Sequence, residues 1–275
     1  MPLDHTLIGV EGPAHERTWT SKDTMLYALG VGAGTSELEF TTEKGQRVLP
    51  TFAVLAAQAP GRRLGDFDPA LLVHAEQAFE LRRELPAEGG VRTSSRVTGI
   101  YDKGSGALVT TEARAVDLRT GELVIANRSA VFIRGEGGFG GDRGPRDSWA
   151  LPDRAPDHKV THSTLPEQAL IYRLSGDYNP LHSDPSFAAR AGFDRPILHG
   201  LCTYGVTGRA LLHAVAGSDP ARFRGMSGRF TSPVFPGESL TVSIWVDGSE
   251  VLFRTAKDDG TVVLDRGRAT IVAGG

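Results

Sequence analysis

Four pairs of short segments recur in one order along the chain, and their spacing limits the fold more than any other feature. Leu26-Tyr27-Ala28-Leu29-Gly30 is similar to Ile171-Tyr172-Arg173-Leu174-Ser175, and Val48-Leu49-Pro50-Thr51 to Ile197-Leu198-His199-Gly200. Leu85-Pro86-Ala87-Glu88-Gly89 is similar to Phe235-Pro236-Gly237-Glu238-Ser239, and Val124 to Gly135 carries two short matches to Val263 to Gly274. The separations are 145, 149, 150 and 139 positions. Each match is weak alone, but the near-constant offset is what a duplicated domain leaves behind. With 275 residues the chain can hold two domains of ordinary size. Residues 135–157 are rich in Gly, Pro, Arg and Asp and lack apolar periodicity, so they read as a linker between a first domain (1–134) and a second (158–275). Gly135-Glu136-Gly137-Gly138-Phe139-Gly140 fits a dinucleotide-loop spacing, but Asp142-Arg143-Gly144-Pro145-Arg146 will not open the helix that such a loop needs.

The two copies predict one element order. In the second half Leu201 to Ala216 is an apolar helix candidate, preceded by Pro196 and closed by Gly217. Strand candidates follow at Leu240 to Val246, Val251 to Thr255, Val262 to Leu264 and Ala269 to Ala273. The first half repeats the strands as Val91 to Tyr101, Ala107 to Asp117 and Glu122 to Arg134. Its helix is cut to Phe52 to Gln58 by Pro60-Gly61, which is expected to leave room for something long and apolar. A helix followed by antiparallel strands is an α+β pattern, with the sheet wrapped on the helix.

Composition narrows the partners. The net charge is −3 with no run of Lys and Arg, which argues against nucleic acid or an anionic membrane. No apolar run nears the roughly 20 residues of a bilayer span, and Met1 to Gly12 shows no leader pattern. The single cysteine, Cys202, sits in an apolar run and reads as core; with no disulfide to form, it suits a reducing cytoplasm. The C-terminus lacks a peroxisomal Ser-Lys-Leu address.

The densest polar cluster in an apolar context is Ser175-Gly176-Asp177-Tyr178-Asn179-Pro180-Leu181-His182. Gly176 and Asn179-Pro180 favour turns, so Asp177 and His182 can fold back toward one point. An acid and a base flanking one water suit addition of water to a double bond; equally, Asp177 and Asn179 can cap the local backbone. Gly32 and Gly34 occupy the corresponding places in the first half, so the scaffold does without these side chains there, which favours a reactive role and one site per chain. His199-Gly200 opens the long helix, where free N–H groups and a partial positive charge suit a developing oxyanion, and Gly200 allows close approach. No His and Cys spacing suggests a metal. His5, His15, His158, His162 and His213 show no constellation.

Tyr172-x-x-Ser175-Gly176-Asp177-x-Asn179-Pro180-Leu181-His182 followed by Pro196-Ile197-Leu198-His199-Gly200 resembles the signature of the hydratase 2 family within the MaoC-like hot-dog proteins. Tyr27 to Gly32, Val48 to Thr51, Tyr101 to Gly106 and Gly137 to Gly141 resemble its catalytically silent N-terminal domain, so the likeness spans nearly the whole chain. The resemblance implies a double hot-dog fold and (R)-specific hydration of trans-2-enoyl-CoA in fatty-acid metabolism, with the N-terminal domain accommodating the acyl chain. It implies that Asp177 and His182 activate water, that Asn179 orients the site, and that the Gly200 N–H polarises the thioester. It further implies acyl-CoA contacts at His74, Ala75, Lys103, Tyr178, Pro180, Leu181, His199 and Phe230. Position 75 departs from the family's frequent His-Gly, so a methyl is added there. By charge, Arg190, Arg195 and Arg229 join Lys103 as candidate neighbours of the CoA phosphates. No cofactor is required, CoA being part of the substrate, and a homodimer is expected. The rivals are a hot-dog acyl-CoA thioesterase, a dehydratase of acyl-carrier-protein or steroid side-chain thioesters, and an acyl-binding protein with a dead site.

Overall fold

The computed structural model describes residues 3–272 apart from 61–62, 69–70 and 146–147; the last residue expected in a strand, Ala273, lies outside them. Ten strands form one antiparallel sheet: β1 (His15–Trp19), β2 (Leu72–Leu81), β3 (Gly89–Asp102), β4 (Gly106–Asp117), β5 (Leu123–Arg134), β6 (His158–Ser163), β7 (Phe223–Phe230), β8 (Ser239–Asp247), β9 (Glu250–Lys257) and β10 (Val262–Ile271). The spatial order is β1-β3-β4-β5-β2-β7-β10-β9-β8-β6. The two copies of the repeat thus meet at a β2·β7 seam, in register from Glu76↔Arg229 to Glu80↔Gly225.

The helices are α1 (Ser21–Gly30), α2 (Leu38–Thr41), α3 (Ala53–Ala56), α4 (Gln168–Tyr172), α5 (Pro185–Arg190) and α6 (Gly200–Val215). The central helix α6 is one residue earlier at each end than its apolar run suggests, and it is buried on every side from Cys202 to Leu212. A helix buried all round must pair its polar groups inside. The Tyr204 hydroxyl donates to Met226 O at 2.6 Å, and Thr207 and Thr255 hydroxyls lie 2.9 Å apart. Its glycines admit the other half: a Cβ at Gly205 would stand 2.4 Å from Val31 Cγ1, and one at Gly208 2.3 Å from Thr51 Cγ2. The equivalent stretch of the first half is a 3₁₀ turn (Pro50–Phe52) plus α3. Phe52 of this stretch meets Trp19 and Tyr27 in edge contact, at 5.7 and 5.5 Å.

Two strand readings are corrected. Val262 to Leu264 and Ala269 onward belong to one strand, β10, interrupted by a bulge at Arg266, whose φ is +53°. The seam strands β2 and β7 were not read as strands, nor were the edge strands β1 and β6. Small and polar residues stand at buried positions of the seam strands: Gly225 and Gly228 are buried on β7, where a Cβ at Gly225 would lie 2.9 Å from Phe79 O, and buried Gln77 of β2 donates to Arg128 O of β5 at 3.2 Å. The glycine run after β5 forms no helix. The Gly104, Gly138 and Gly140 N–H groups all donate to the Asp102 carboxylate, at 2.8, 2.9 and 2.7 Å, so this run closes a turn around an internal anion.

Candidate active site

The site is assembled by one bent segment between α4 and α6. A 3₁₀ turn (Arg173–Ser175) continues α4 and ends at Gly176, whose φ of +119° only glycine adopts without strain. Asn179 N–H donates to Asp177 Oδ1 at 3.2 Å, and Leu181 N–H to Asn179 Oδ1 at 3.0 Å. Asp177 and Asn179 therefore do cap the backbone, but a carboxylate has two oxygens and about four lone-pair sites, so capping leaves Asp177 capacity to spare. Pro180 opens the short turn that carries His182.

His182 faces back toward the chain approaching α6. Its Nδ1 lies 2.8 Å from Ile197 O. A carbonyl only accepts, so Nδ1 carries the proton and the Nε2 lone pair of the neutral ring is free. His199 Nε2 donates in the same way to Asp177 O at 3.2 Å. The His182 and His199 rings stack at 3.7 Å and 27°. Side-chain donor atoms of Asp177, His182 and His199 all lie within 4.8 Å of one another. Each imidazole commits one nitrogen to a carbonyl, which leaves His182 Nε2 open, while the remaining His199 nitrogen, Nδ1, is buried.

Gly200 opens α6, where the first amides have no carbonyl of their own helix to bond. The Phe230 ring closes on it: a Cβ at Gly200 would meet Phe230 Cε1 at 3.3 Å. His74 joins them because β2 carries a bulge. Gln77, Phe79 and Leu81 point to the buried side, so regular alternation would turn His74 outward with Glu76. The register slips between His74 and Glu76, leaving Ala75 as the extra residue, and the His74 ring stands 5.0 Å from Phe230.

Burial pushes His74 down to about 4, and the Asp177 charge only partly opposes this. Burial lowers His182 as well, against its bond to Ile197 and the charge of Asp177. Burial and the neighbouring His182 push His199 to about 4. All three rings are thus neutral at pH 7, and His182 keeps a basic Nε2 at a pH where an ordinary imidazole, near 6.5, begins to protonate. The acid limb of a kcat/KM profile is accordingly expected below pH 6.5; a limb centred at or above that value would contradict it.

The structure brings Asp177, His182, His199, Gly200, Phe230 and His74 to one place. It does not bring Lys103 there. Lys103 donates to Arg143 O and lines a cavity of about 430 Å³ across the sheet with Arg128, Arg229 and Tyr101. His199 is 1% exposed and spends its donor on the Asp177 backbone. Tyr178 and Pro180 are exposed and Leu181 is half-buried, with the Arg173 guanidinium 4.8 Å from the Tyr178 ring. Of the other cations, Arg190 and Arg195 stack on Phe187 and Phe235, and Arg229 Nε donates to Glu76 at 2.8 Å. Two contributions had no sequence signal. Arg17 of β1 reaches within 3.8 Å of where a Cβ of Gly176 would stand. His162 and His213, given no role, flank a buried Glu37–Arg209 pair that ties the first half to α6. A carboxylate, a basic imidazole and helix-start amides around one point can hold water, move a proton and meet charge on an oxygen.

Two family matches cover most of the chain: the MFE-2 hydratase 2 N-terminal domain over residues 18–135 and the MaoC like domain over 148–267. The chain is 47% identical to 3-hydroxyacyl-thioester dehydratase Y of Mycobacterium tuberculosis over the whole of both chains. It is 41% identical to the probable enoyl-CoA hydratase 2 of Dictyostelium discoideum, covering 93% of this chain and 92% of that protein. Among solved structures, a MaoC-like dehydratase from Phytophthora capsici superposes with a TM-score of 0.89 at 34% identity, covering 99% of this chain and 98% of the other.

Proposed function

This chain belongs to the MaoC-like hydratase 2 family, and on that premise we propose that Asp177, His182 and Gly200 carry its hydration of trans-2-enoyl-CoA to (3R)-3-hydroxyacyl-CoA. The protein is a hydro-lyase with a double hot-dog fold. The observation that carries the assignment of roles is the convergence of Asp177 and the His182 ring beside the first turn of α6.

The thioester draws electrons from the enoyl chain and leaves C3 electrophilic. Water held between the Asp177 carboxylate and His182 Nε2 passes a proton to that nitrogen as its oxygen bonds to C3. A proton returns to C2, so water is added and no electrons are exchanged. In passing, negative charge gathers on the thioester oxygen, where the Gly200 N–H meets it. Removal of one such donor elsewhere costs about 3–4 kcal/mol of barrier. Redox-neutral addition calls for no cofactor beyond the CoA that arrives with the substrate. His74 and Phe230 line the approach.

The relative at 47% identity is named for the reverse reaction, which the same groups run by microscopic reversibility. Two finer readings accompany the proposal. Leu29, Leu170 and Leu174 of the packed α1–α4 region are about half exposed (42, 52 and 50%), an apolar face suited to a second copy in a homodimer. The unpaired Cys202 thiol suits a reducing, cytoplasmic setting, although relatives include peroxisomal proteins. Among the described residues no helix is long and apolar enough to cross a membrane.

Crotonyl-CoA supplies the test. Loss of enoyl absorbance without release of thiol, yielding the (3R) alcohol on chiral analysis, is the expected result. Release of free thiol would point instead to hydrolysis of the thioester, and a (3S) product would place the water on the wrong face.

A further inference from the structure

His199 is almost wholly buried and makes two contacts that both end on the reacting groups. Its Nε2 lies 3.2 Å from the backbone carbonyl of Asp177, so the ring proton must sit on Nε2. Its face lies on His182 at 3.7 Å. Tyr172 packs against the same ring at 4.8 Å, inclined by 50°. The remaining nitrogen, Nδ1, is buried with no hydrogen-bond partner among the described residues. Leaving that atom bare costs about 1–3 kcal/mol. A leucine would fill the volume without that cost, so packing alone does not account for an imidazole here.

We infer that His199 is a positioning residue for the hydration: its Nε2–H holds the Asp177 peptide and its ring face holds the plane of His182, so the carboxylate and the bare His182 Nε2 keep one separation. This inference rests on the proposed roles of Asp177 and His182. The arrangement is economical in its covalent reach. Asp177 and His182 are five positions apart on a loop whose tip is exposed, and the loop itself links them only by bonds to backbone. His199 comes from the far end of the segment and touches both. It must do so as a neutral ring. A proton passing to His182 during turnover would otherwise stand 3.7 Å from a second positive charge. Burial and the neighbouring His182, which keep His199 near 4, agree with this requirement.

The expected kinetic mark is a loss in kcat with little change in KM, because His199 aligns the groups without touching substrate. Displacement of a catalytic group by about 1 Å costs on the order of 100-fold. Three variants are compared by crotonyl-CoA hydration and thermal denaturation. His199→Phe keeps a flat ring but removes the donor; it is expected to lower kcat by about 10- to 100-fold with KM within about threefold. His199→Gln restores an N–H near Nε2 and is expected to recover at least about a third of that logarithmic loss. Asp177→Asn runs beside them as the reference for the dyad.

Wild-type kcat in a folded His199→Phe protein would overturn the inference. So would a loss falling on KM, which would make His199 a substrate contact after all. Equal kcat losses in the Phe and Gln variants would also overturn it, by showing that the donor is irrelevant. If His199→Phe does not fold, the Gln variant decides alone: a kcat loss of no more than about 20-fold supports the donor role, and a greater loss rejects it. Full activity in Asp177→Asn would instead remove the dyad, and the positioning role with it.

Discussion

Asp177→Asn is expected to cut the turnover of crotonyl-CoA by about 1,000-fold, within the range for removing a positioned acid or base, while the melting temperature moves by no more than about 2 °C. The separation of the two effects follows from what each oxygen does. Asp177 Oδ1 accepts from Asn179 N–H, and a carboxamide oxygen can keep that bond, so the loop retains its shape. Only the charge and the proton-accepting oxygen are lost. His182→Gln should lose a comparable factor for the complementary reason. The glutamine keeps an amide donor but cannot offer the basic lone pair that the Ile197 contact leaves on Nε2. Because the two groups hold one water, the double variant should be little worse than either single one. Initial rates together with circular dichroism melts check all three. A folded Asp177→Asn protein within tenfold of wild-type rate would break the assignment.

The largest stability effect is expected far from the chemistry, at Glu37. Arg209, in the third turn of α6, is 7% exposed and donates through Nε to both Glu37 oxygens at 3.0 Å. A further nitrogen donates to Val31 O at 2.7 Å, and His213 Nε2 lies 2.6 Å from Glu37 Oε1. Glu37→Ala removes the carboxylate and leaves a buried guanidinium with one carbonyl and the neutral His162 ring for partners. Breaking one side of such a pair costs about 3–5 kcal/mol. For a chain of this size that is a fall in melting temperature of about 10 °C. Adding Arg209→Met should recover much of the loss, since an uncharged pair leaves nothing stranded. A Glu37→Ala protein that melts within about 2 °C of wild type would show that the cluster is hydrated and the pair weak.

The same cluster has a sign with pH. Burial alone would raise the Glu37 pKa, but the bond from His213 and the charge of Arg209 outweigh it and hold it below its ordinary value. Its contribution is therefore present above the unfolded value, near 4.5, and is lost as pH falls through the lower, folded one. The buried His199 acts in the same direction for the opposite reason. The unfolded chain takes up its proton near 6.5, whereas the folded one resists until about 4, so stability drains away between those values.

The amino-acid sequence by itself determined what neighbours along the chain can decide. The near-constant offset between repeats anticipated two like halves, and they appear as a sheet whose strand order reads as mirror copies about β2·β7. Glycine, proline and two short polar side chains were enough to bend 176–182, because those bonds run between residues two or three positions apart. Tertiary structure alone decided the rest. The seam strands were hidden because buried glycines on β7 and a bonded Gln77 on β2 stand where apolar side chains would mark a strand. His74 turns toward Phe230 through a one-residue slip of register at Ala75, which no local pattern announces. The His199 ring bonds the Asp177 backbone and lies on His182, contacts that no local pattern announces. Arg209 and Glu37 are 172 positions apart, and only the chain's path past α6 makes them partners. Periodicity and turn chemistry act over a few residues and can be read locally; the pairing of buried charges and the phase of a strand depend on what the fold packs opposite them.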